Sequence, residues 1–170
     1  MIKFRLYLDK DKEEKWINNM ADNGYEFKKF FAGFYKFVPC EKGRYIHRID
    51  LIDNISKRKE YMDFMQEIGV EVIDTWGFWV FLRKEKSEGT FELYSDRESK
   101  INSYRKIIKT FFIVLIIEFV CVLAQIPALS DGEWTGFFGF AILSAFIIFI
   151  AKTLFSTNKK IKLLENNKFD

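Results

Sequence analysis

The sequence predicts an α+β protein in two parts, a domain of two βαβ halves followed by a hairpin of two membrane-spanning helices. Three observations carry this reading. A pattern of aromatics and glycines occurs twice within the first hundred residues. Apolar residues, 49% of the 170-residue chain, are concentrated in its C-terminal part. Lys and Arg flank two apolar runs there and are missing between them.

Residues 2–8 alternate with period two, Ile2, Phe4, Leu6 and Leu8 against Lys3, Arg5 and Tyr7, which predicts a half-buried strand. Asp9 or Asp11 is placed to cap a helix that carries Trp16, Ile17 and Met20 and stops near Asn23-Gly24. Residues 34–38 read as a strand closed by Pro39. Lys42-Gly43 then turns into a strand over 44–52. Tyr45, His47, Ile49 and Leu51 lie on one of its faces and Arg44, Ile46, Arg48 and Asp50 on the other. A second helix is expected over 56–68, with Tyr61, Phe64, Met65 and Ile68 on one face and Gly69 at its end. Residues 77–83 give a last, very apolar strand.

The repeat supports that order. Trp16, Met20 and Gly24-Tyr25-Glu26-Phe27 match Tyr61, Met65 and Gly69-Val70-Glu71-Val72 at a constant spacing. Gly33-Phe34-Tyr35-Lys36-Phe37 matches Gly77-Phe78-Trp79-Val80-Phe81 after a slip of one residue. Two such halves in tandem predict a ferredoxin-like βαββαβ domain over residues 1–84, with both helices on one face of an antiparallel sheet. Residues 85–104 form a linker, or a short edge strand at 91–94, and the start of a helix.

Residues 105–152 form the hairpin, with spans at about 107–126 and 134–151, each near the length a bilayer crossing needs. Both must be helical to satisfy their backbones in lipid. The link between them contains Pro127, Gly132, Asp131 and Glu133 and no basic residue, whereas Arg105, Lys106, Lys109, Lys152, Lys159, Lys160 and Lys162 flank the spans. The positive-inside rule then places both chain ends in the cytoplasm and the link outside. Trp134 sits where an interfacial aromatic is expected. A basic cytoplasmic tail follows over 153–170.

The composition excludes several classes. A chain that is 18% aromatic is not a disordered one. The net charge of +3 lies entirely beyond residue 100, which leaves the first part without the basic footprint of direct nucleic-acid binding. Cys40 and Cys121 lack ligand-like spacing and read as small apolar fillers, and the single histidine, His47, makes no metal site with them. The first residues lack the apolar run of a signal peptide. No dinucleotide, phosphate-loop, nucleophile-elbow or zinc-protease motif is present, so no catalytic residue, metal or cofactor is assigned and an enzyme is not expected.

Tyr35, Tyr45, Trp76 and Trp79 are the candidate ligand or partner face, although periodicity would equally place most of the aromatics, Trp16 and Tyr25 among them, in the core. Arg48 and Asp50 suit an ion pair on the outer face of their strand. Glu26 and Glu71 recur with the repeat and read as structural pairing or capping positions, and His47 as a core histidine. Glu118 lies near the middle of the first span, where a carboxylate costs at least about 2.5 kcal/mol on insertion scales. It is the candidate intramembrane polar site, with Ser144, Gln125 or a second copy as partner. Gly136, Gly139, Ala141, Ser144 and Ala145 offer small residues for close helix packing.

Trp16-Ile17-Asn18-Asn19-Met20 with Gly24-Tyr25, Tyr45-Ile46-His47-Arg48-Ile49-Asp50, Gly69-Val70-Glu71-Val72 with Trp76 and Trp79, and Leu93-Tyr94-Ser95-Asp96 together resemble the DUF2812 family. The resemblance covers about residues 1–105; Val70 departs from it, standing where an aromatic is expected. It implies a bacterial protein, of a kind common in Firmicutes, with no established activity and two C-terminal transmembrane segments. Genes of that family often neighbour PadR-like repressors, which implies a regulatory or stress-sensing role. The resulting expectation is a membrane-anchored regulatory or sensory protein whose cytoplasmic domain binds a ligand or protein. Its partners would be the lipid bilayer and a protein, or a second copy, met through the hairpin. The rival expectation is an accessory or immunity subunit of a membrane transport or export complex.

Overall fold

In the computed structural model of the chain, which describes residues 1–127 and 134–166, Asp9 opens the first helix. Its carboxylate accepts from the amides of Asp11 and Lys12 at 3.0 and 3.4 Å, taking up donors that a helix start leaves free. This helix, α1 (Lys10–Asp22), buries Ile17, Met20 and Ala21. It ends at Asn23, before Gly24, as the sequence predicts.

Beyond that point the chain holds more strands than the sequence suggested. Each half is a strand, a helix and then a hairpin. The first half is β1 (Ile2–Phe4), α1, β2 (Tyr25–Phe31) and β3 (Phe34–Pro39). The second is β4 (Tyr45–Leu51), α2 (Arg58–Glu67), β5 (Glu71–Trp76) and β6 (Trp79–Glu85). The fold is mixed α+β, with six strands among the described residues in two antiparallel sheets, β1-β3-β2 and β4-β6-β5, where one smaller sheet was expected. The same repeat therefore generates the same strand order twice.

The two strands that the sequence concealed, β2 and β5, share one feature. The register of β2 on β3 shifts between Phe27 and Lys29, and that of β5 on β6 between Val72 and Asp74, at equivalent places in the repeat. A bulge flips the side chains that follow it, so period-two alternation never builds up along either strand.

The halves interlock through edges. The amide of Phe30 on β2 donates to Asp74 Oδ2 on β5 at 2.7 Å. On the opposite side of the domain, α1 lies along the free edge of β4. The amides of His47 and Ile49 donate to Asn18 Oδ1 and Glu14 Oε1 at 2.7 and 2.9 Å. Their carbonyls accept from Asn18 Nδ2 and Lys10 Nζ at 2.9 and 3.1 Å. An edge strand that would otherwise present unpaired groups to solvent is thereby closed.

Two clusters form the interior. Ile17, Met20, Phe27, Tyr35, Phe37, Ile49 and Phe81 make the first, drawing on both halves. Ile52, Met65, Val70, Val80, Leu82 and Phe91 make the second. The departure from the family pattern, Val70, is thus fully buried. The stretch expected as an edge strand at 91–94 is irregular, with Phe91 buried and Leu93 packed against the second cluster.

Two surfaces differ from expectation. On α2 only Met65 is buried, while Phe64 and Ile68 face solvent. The strand expected over 2–8 ends at Phe4, and Ile2, Phe4 and Leu6, on the face predicted to point inward, are exposed. Tyr7, on the other parity, packs against the first cluster in their place.

Met1–Asp96 is one compact unit and Arg97–Asp170 the other. In the second unit, α3 (Arg97–Ala124) and α4 (Trp134–Asn166) pack against each other, with Arg105 NH2 3.0 Å from Glu165 Oε1. The helix continues through residues 153–166, expected as tail. Residues 128–133, most of the expected link with Asp131, Gly132 and Glu133, lie outside the described residues, as do 167–170. Both helices are long and apolar enough to cross a membrane, and only 11% of the most apolar stretch of each is buried. They are not core helices of the fold.

Candidate functional site

α1 carries Glu13 and Trp16 one turn apart, so both project from the same side of the helix. β3, the central strand of its sheet, places Tyr35 beneath them. The Tyr35 hydroxyl donates to Glu13 Oε1 at 2.7 Å. The Trp16 ring stands edge-on to Tyr35 and Phe37, with centroids 4.9 and 5.3 Å away, and Tyr7 lies 5.7 Å from it. Phe30 of β2 extends the aromatic wall, 4.8 Å from Tyr35 and 5.1 Å from Trp76 at the end of β5. Above Trp16 lies a cation from the same chain, the Arg5 guanidinium, 4.8 Å from the ring centroid and donating to the Tyr7 hydroxyl at 3.1 Å.

Glu13 is the unusual member. Burial pushes its carboxyl up to about 7, against the opposing pull of the Tyr35 hydroxyl and with a smaller push from the neighbouring charge of Glu14. Burial also raises the Tyr35 phenol, helped by the adjacent Glu13 charge. A half-buried carboxyl among aromatic faces, near neutrality in its titration, has a direct chemical use. A cation seated there would restore the ionised form and interact with the rings at the same time.

Of the residues singled out from the sequence, the structure gathers Tyr35, Trp76 and Trp79 around this wall. Tyr35 is fully buried, Trp76 is exposed against Phe30, and Trp79 packs on the first cluster. Tyr45 is elsewhere. Its ring is covered by the guanidinium of Arg83 at 4.3 Å and flanked by that of Arg44 at 5.0 Å. Glu13, Tyr7, Arg5 and Phe30 were missed. The available signal was Glu13 itself, an acid one turn before Trp16 on the apolar side of a helix.

The family model described as "Protein of unknown function (DUF2812)" matches residues 9–116, from the cap of α1 into α3. The chain belongs to the DUF2812 family. No curated protein and no solved structure matches it. In this DUF2812 chain the matched stretch holds Glu13, Trp16, Phe30, Tyr35 and Trp76, and two further polar centres.

The first of those is built on Arg83, a buried arginine on β6. Its Nε and NH2 hold Glu71 at 2.8 and 2.9 Å, and its NH1 holds Glu26 Oε2 at 2.7 Å. Lys28 pairs with the other oxygen of Glu26 at 2.7 Å. The repeated glutamates are thus structural, as the sequence suggested, with one arginine serving both. His47 adjoins this centre. Burial, and secondarily the charge of Arg83, depress its imidazole to about 3, and neither ring nitrogen has a hydrogen-bond partner among the described residues.

The second centre is Asp50, buried rather than facing outward, and not paired with Arg48. Its carboxylate accepts from the hydroxyls of Tyr61 and Tyr94, each at 2.7 Å, and from the Leu51 amide at 2.8 Å. Those bonds tie α2 and the segment after β6 to β4. In the second unit Glu118 is half-buried and makes no hydrogen bond or ion pair among the described residues. The Gln125 side chain, one of its expected partners, instead lies against Gly139.

Proposed function

We propose that this DUF2812 protein is a membrane-anchored regulatory or sensory protein whose α+β domain binds a small, positively charged organic ligand at the aromatic wall around Glu13. The observation that carries the ligand reading is the Glu13–Tyr35 pair set among Trp16, Tyr7 and Phe30. The Arg5 guanidinium over Trp16 supports it, since the wall already accepts a cation from its own chain. The anchoring reading is supported by two long apolar helices whose apolar surface faces outward. On it the protein sits in the cell membrane with both termini cytoplasmic. The regulatory reading rests on the resemblance to a family whose genes neighbour PadR-like repressors.

The test is a titration of the full chain in mild detergent with benzyltrimethylammonium, followed by tryptophan fluorescence. A saturable change is expected, lost in Glu13→Gln and not reproduced by neutral benzyl alcohol. Equal responses of wild type and Glu13→Gln would remove the ligand reading. A second reading, an accessory or immunity subunit of a transport or export complex, is favoured by Glu118, which has no hydrogen bond or ion pair among the described residues. Purification of the tagged chain with its associated proteins separates the two readings. Transport subunits in the eluate favour the second.

A further inference from the structure

The outer face of the β1-β3-β2 sheet is built like a surface meant to be covered. Antiparallel sheets with one face on the core ordinarily turn polar side chains outward. Here one cross-strand row is wholly aromatic and the next is apolar at one end. Phe4, Phe34 and Phe31 stand opposite one another across the three strands, with the rings of Phe4 and Phe34 4.9 Å apart. Ile2, Lys36 and Lys29 form the next row. Ile2, Phe4, Leu6, Phe31 and Phe34 are each between 50% and 69% exposed. They form one apolar patch rather than scattered surface residues.

The chain is shaped to hold that patch together. Gly33 lies in the β2–β3 turn at φ +87°, and a Cβ there would come within 2.9 Å of both Phe4 and Leu6. The left-handed backbone there favours glycine, and its bare Cα gives the ends of those two side chains room against the turn.

The lysines indicate what covers it. Lys29 and Lys36 are direct cross-strand partners, and neither makes an ion pair among the described residues. Like charges placed opposite each other in a sheet are unfavourable unless something anionic lies over them. The acid nearest along these strands, Glu26, is buried and already held by Lys28 and Arg83. A two-fold dimer through this face would bring four such lysines together with no carboxylate between them. An anionic bilayer surface suits both features, taking aromatics into its interface and lysines onto its headgroups. The same chain supplies that surface, because α3 begins at Arg97, after the domain that ends at Asp96, and turns apolar from Ile107.

We propose that this sheet face docks on anionic lipid at the surface of the membrane that holds α3 and α4. Phe4, Phe31 and Phe34 would enter the interface and Lys29 and Lys36 would contact headgroups. The inference rests on the membrane-anchored reading above.

The test uses the full chain with Cys40 and Cys121 replaced by Ser and a polarity-sensitive fluorophore on Phe31→Cys. A parallel preparation carries the label on Phe34→Cys, in case one position disturbs the sheet. A control label goes on exposed Glu60→Cys. The protein is placed in nanodiscs of phosphatidylcholine alone or mixed equally with phosphatidylglycerol. In the anionic discs the patch labels are expected to shift to the blue and be quenched by spin-labelled lipid. The Glu60 label should remain in water. Lys29→Glu with Lys36→Glu should lower the docked-to-undocked ratio at least about tenfold. Patch labels quenched by aqueous iodide in both disc types, with the chain still resistant to alkaline carbonate, would overturn docking while leaving the anchor intact. A blue shift that ignores lipid charge and follows the number of copies per disc would overturn it in favour of a dimer. Release of the chain by carbonate would remove the anchoring reading, and docking with it.

Discussion

Arg83 NH1 lies 2.7 Å from Glu26 Oε2, a contact between strands of different halves, and both side chains are buried. The pair joins the two copies of the repeat, adding a bridge between halves to the contacts each charge makes within its own half, Arg83 with Glu71 and Glu26 with Lys28. Breaking a buried pair from one side leaves the other charge uncompensated, at a cost of about 3–5 kcal/mol. Arg83→Leu is therefore expected to lower unfolding free energy by about that much in urea titrations. Glu71→Ala removes a more exposed partner of the same arginine and should cost less than about 1 kcal/mol. Equal losses in the two variants would mean that the bidentate Glu71 contact, and not the bridge between halves, holds Arg83.

Residues 1–96 contain both core clusters, and this fragment is expected to fold alone. Trp16 is only half-buried, yet its ring touches Tyr7, Tyr35 and Phe37. Trp16→Ala should destabilise the fragment by about 3 kcal/mol, read from its thermal or urea unfolding. Unchanged stability would make Trp16 a docking residue and not a packing one.

What the sequence disclosed and what it hid follow from how each residue is constrained. The repeat was legible because Trp16 and Tyr61 each pack a helix onto a core cluster, and Gly24 and Gly69 each follow a helix at positive φ. β2 and β5 were hidden by their equivalent bulges, which cancel the alternation a strand is recognised by. The facing of β1 was misjudged because alternation reports only that two faces differ. Tyr7 took the inner place by contacts with Trp16 and Tyr35, which lie far off in sequence. Glu13 was passed over for the same reason. Its partner, Tyr35, is 22 positions away, and a carboxyl beside a phenol leaves no local pattern.

Glu13 and His47 pull stability in opposite directions as pH changes. Glu13 titrates at about 7 when folded and near 4.5 otherwise, so its contribution is present at low pH and is lost as pH rises between those values. His47 titrates at about 3 when folded and near 6.5 otherwise, so stability is lost as pH falls below about 6.5. Between pH 4.5 and 6.5 the two slopes oppose, and a shallow wild-type profile is expected. Glu14, whose carboxyl is also raised by burial, adds to the Glu13 side. Glu13→Gln should leave a profile that climbs with pH, by at most about 1.4 kcal/mol per pH unit. His47→Phe should leave one that falls with pH. At neutral pH it should also be no less stable than wild type, since it removes two unpartnered buried nitrogens. Parallel profiles for the two variants would exclude this pairing of effects.

The orientation of the hairpin is open to direct labelling. Single cysteines at positions 130 and 99, in a chain without Cys40 and Cys121, should react oppositely with an impermeant thiol reagent on intact cells. Position 130 is expected to label and position 99 to be protected. The reverse would overturn the positive-inside assignment.

Glu118 gives the sharpest test of the second unit. A carboxylate halfway along an apolar helix is tolerated only if it is protonated, solvated or partnered. The expected partners within the chain are not engaged, since Gln125 lies against Gly139. Arg105 is paired with Glu165. The expectation to test is therefore a partner outside the chain, a second copy or another membrane protein. Glu118→Gln keeps a hydrogen-bonding group and should insert normally while associating more weakly in detergent. Glu118→Leu removes the burial cost, should insert at least as well as wild type, and should lose association altogether. If both variants keep the wild-type oligomeric state and copurifying proteins, Glu118 is a spectator. The helices then serve as an anchor alone, and any sensing lies in residues 1–96.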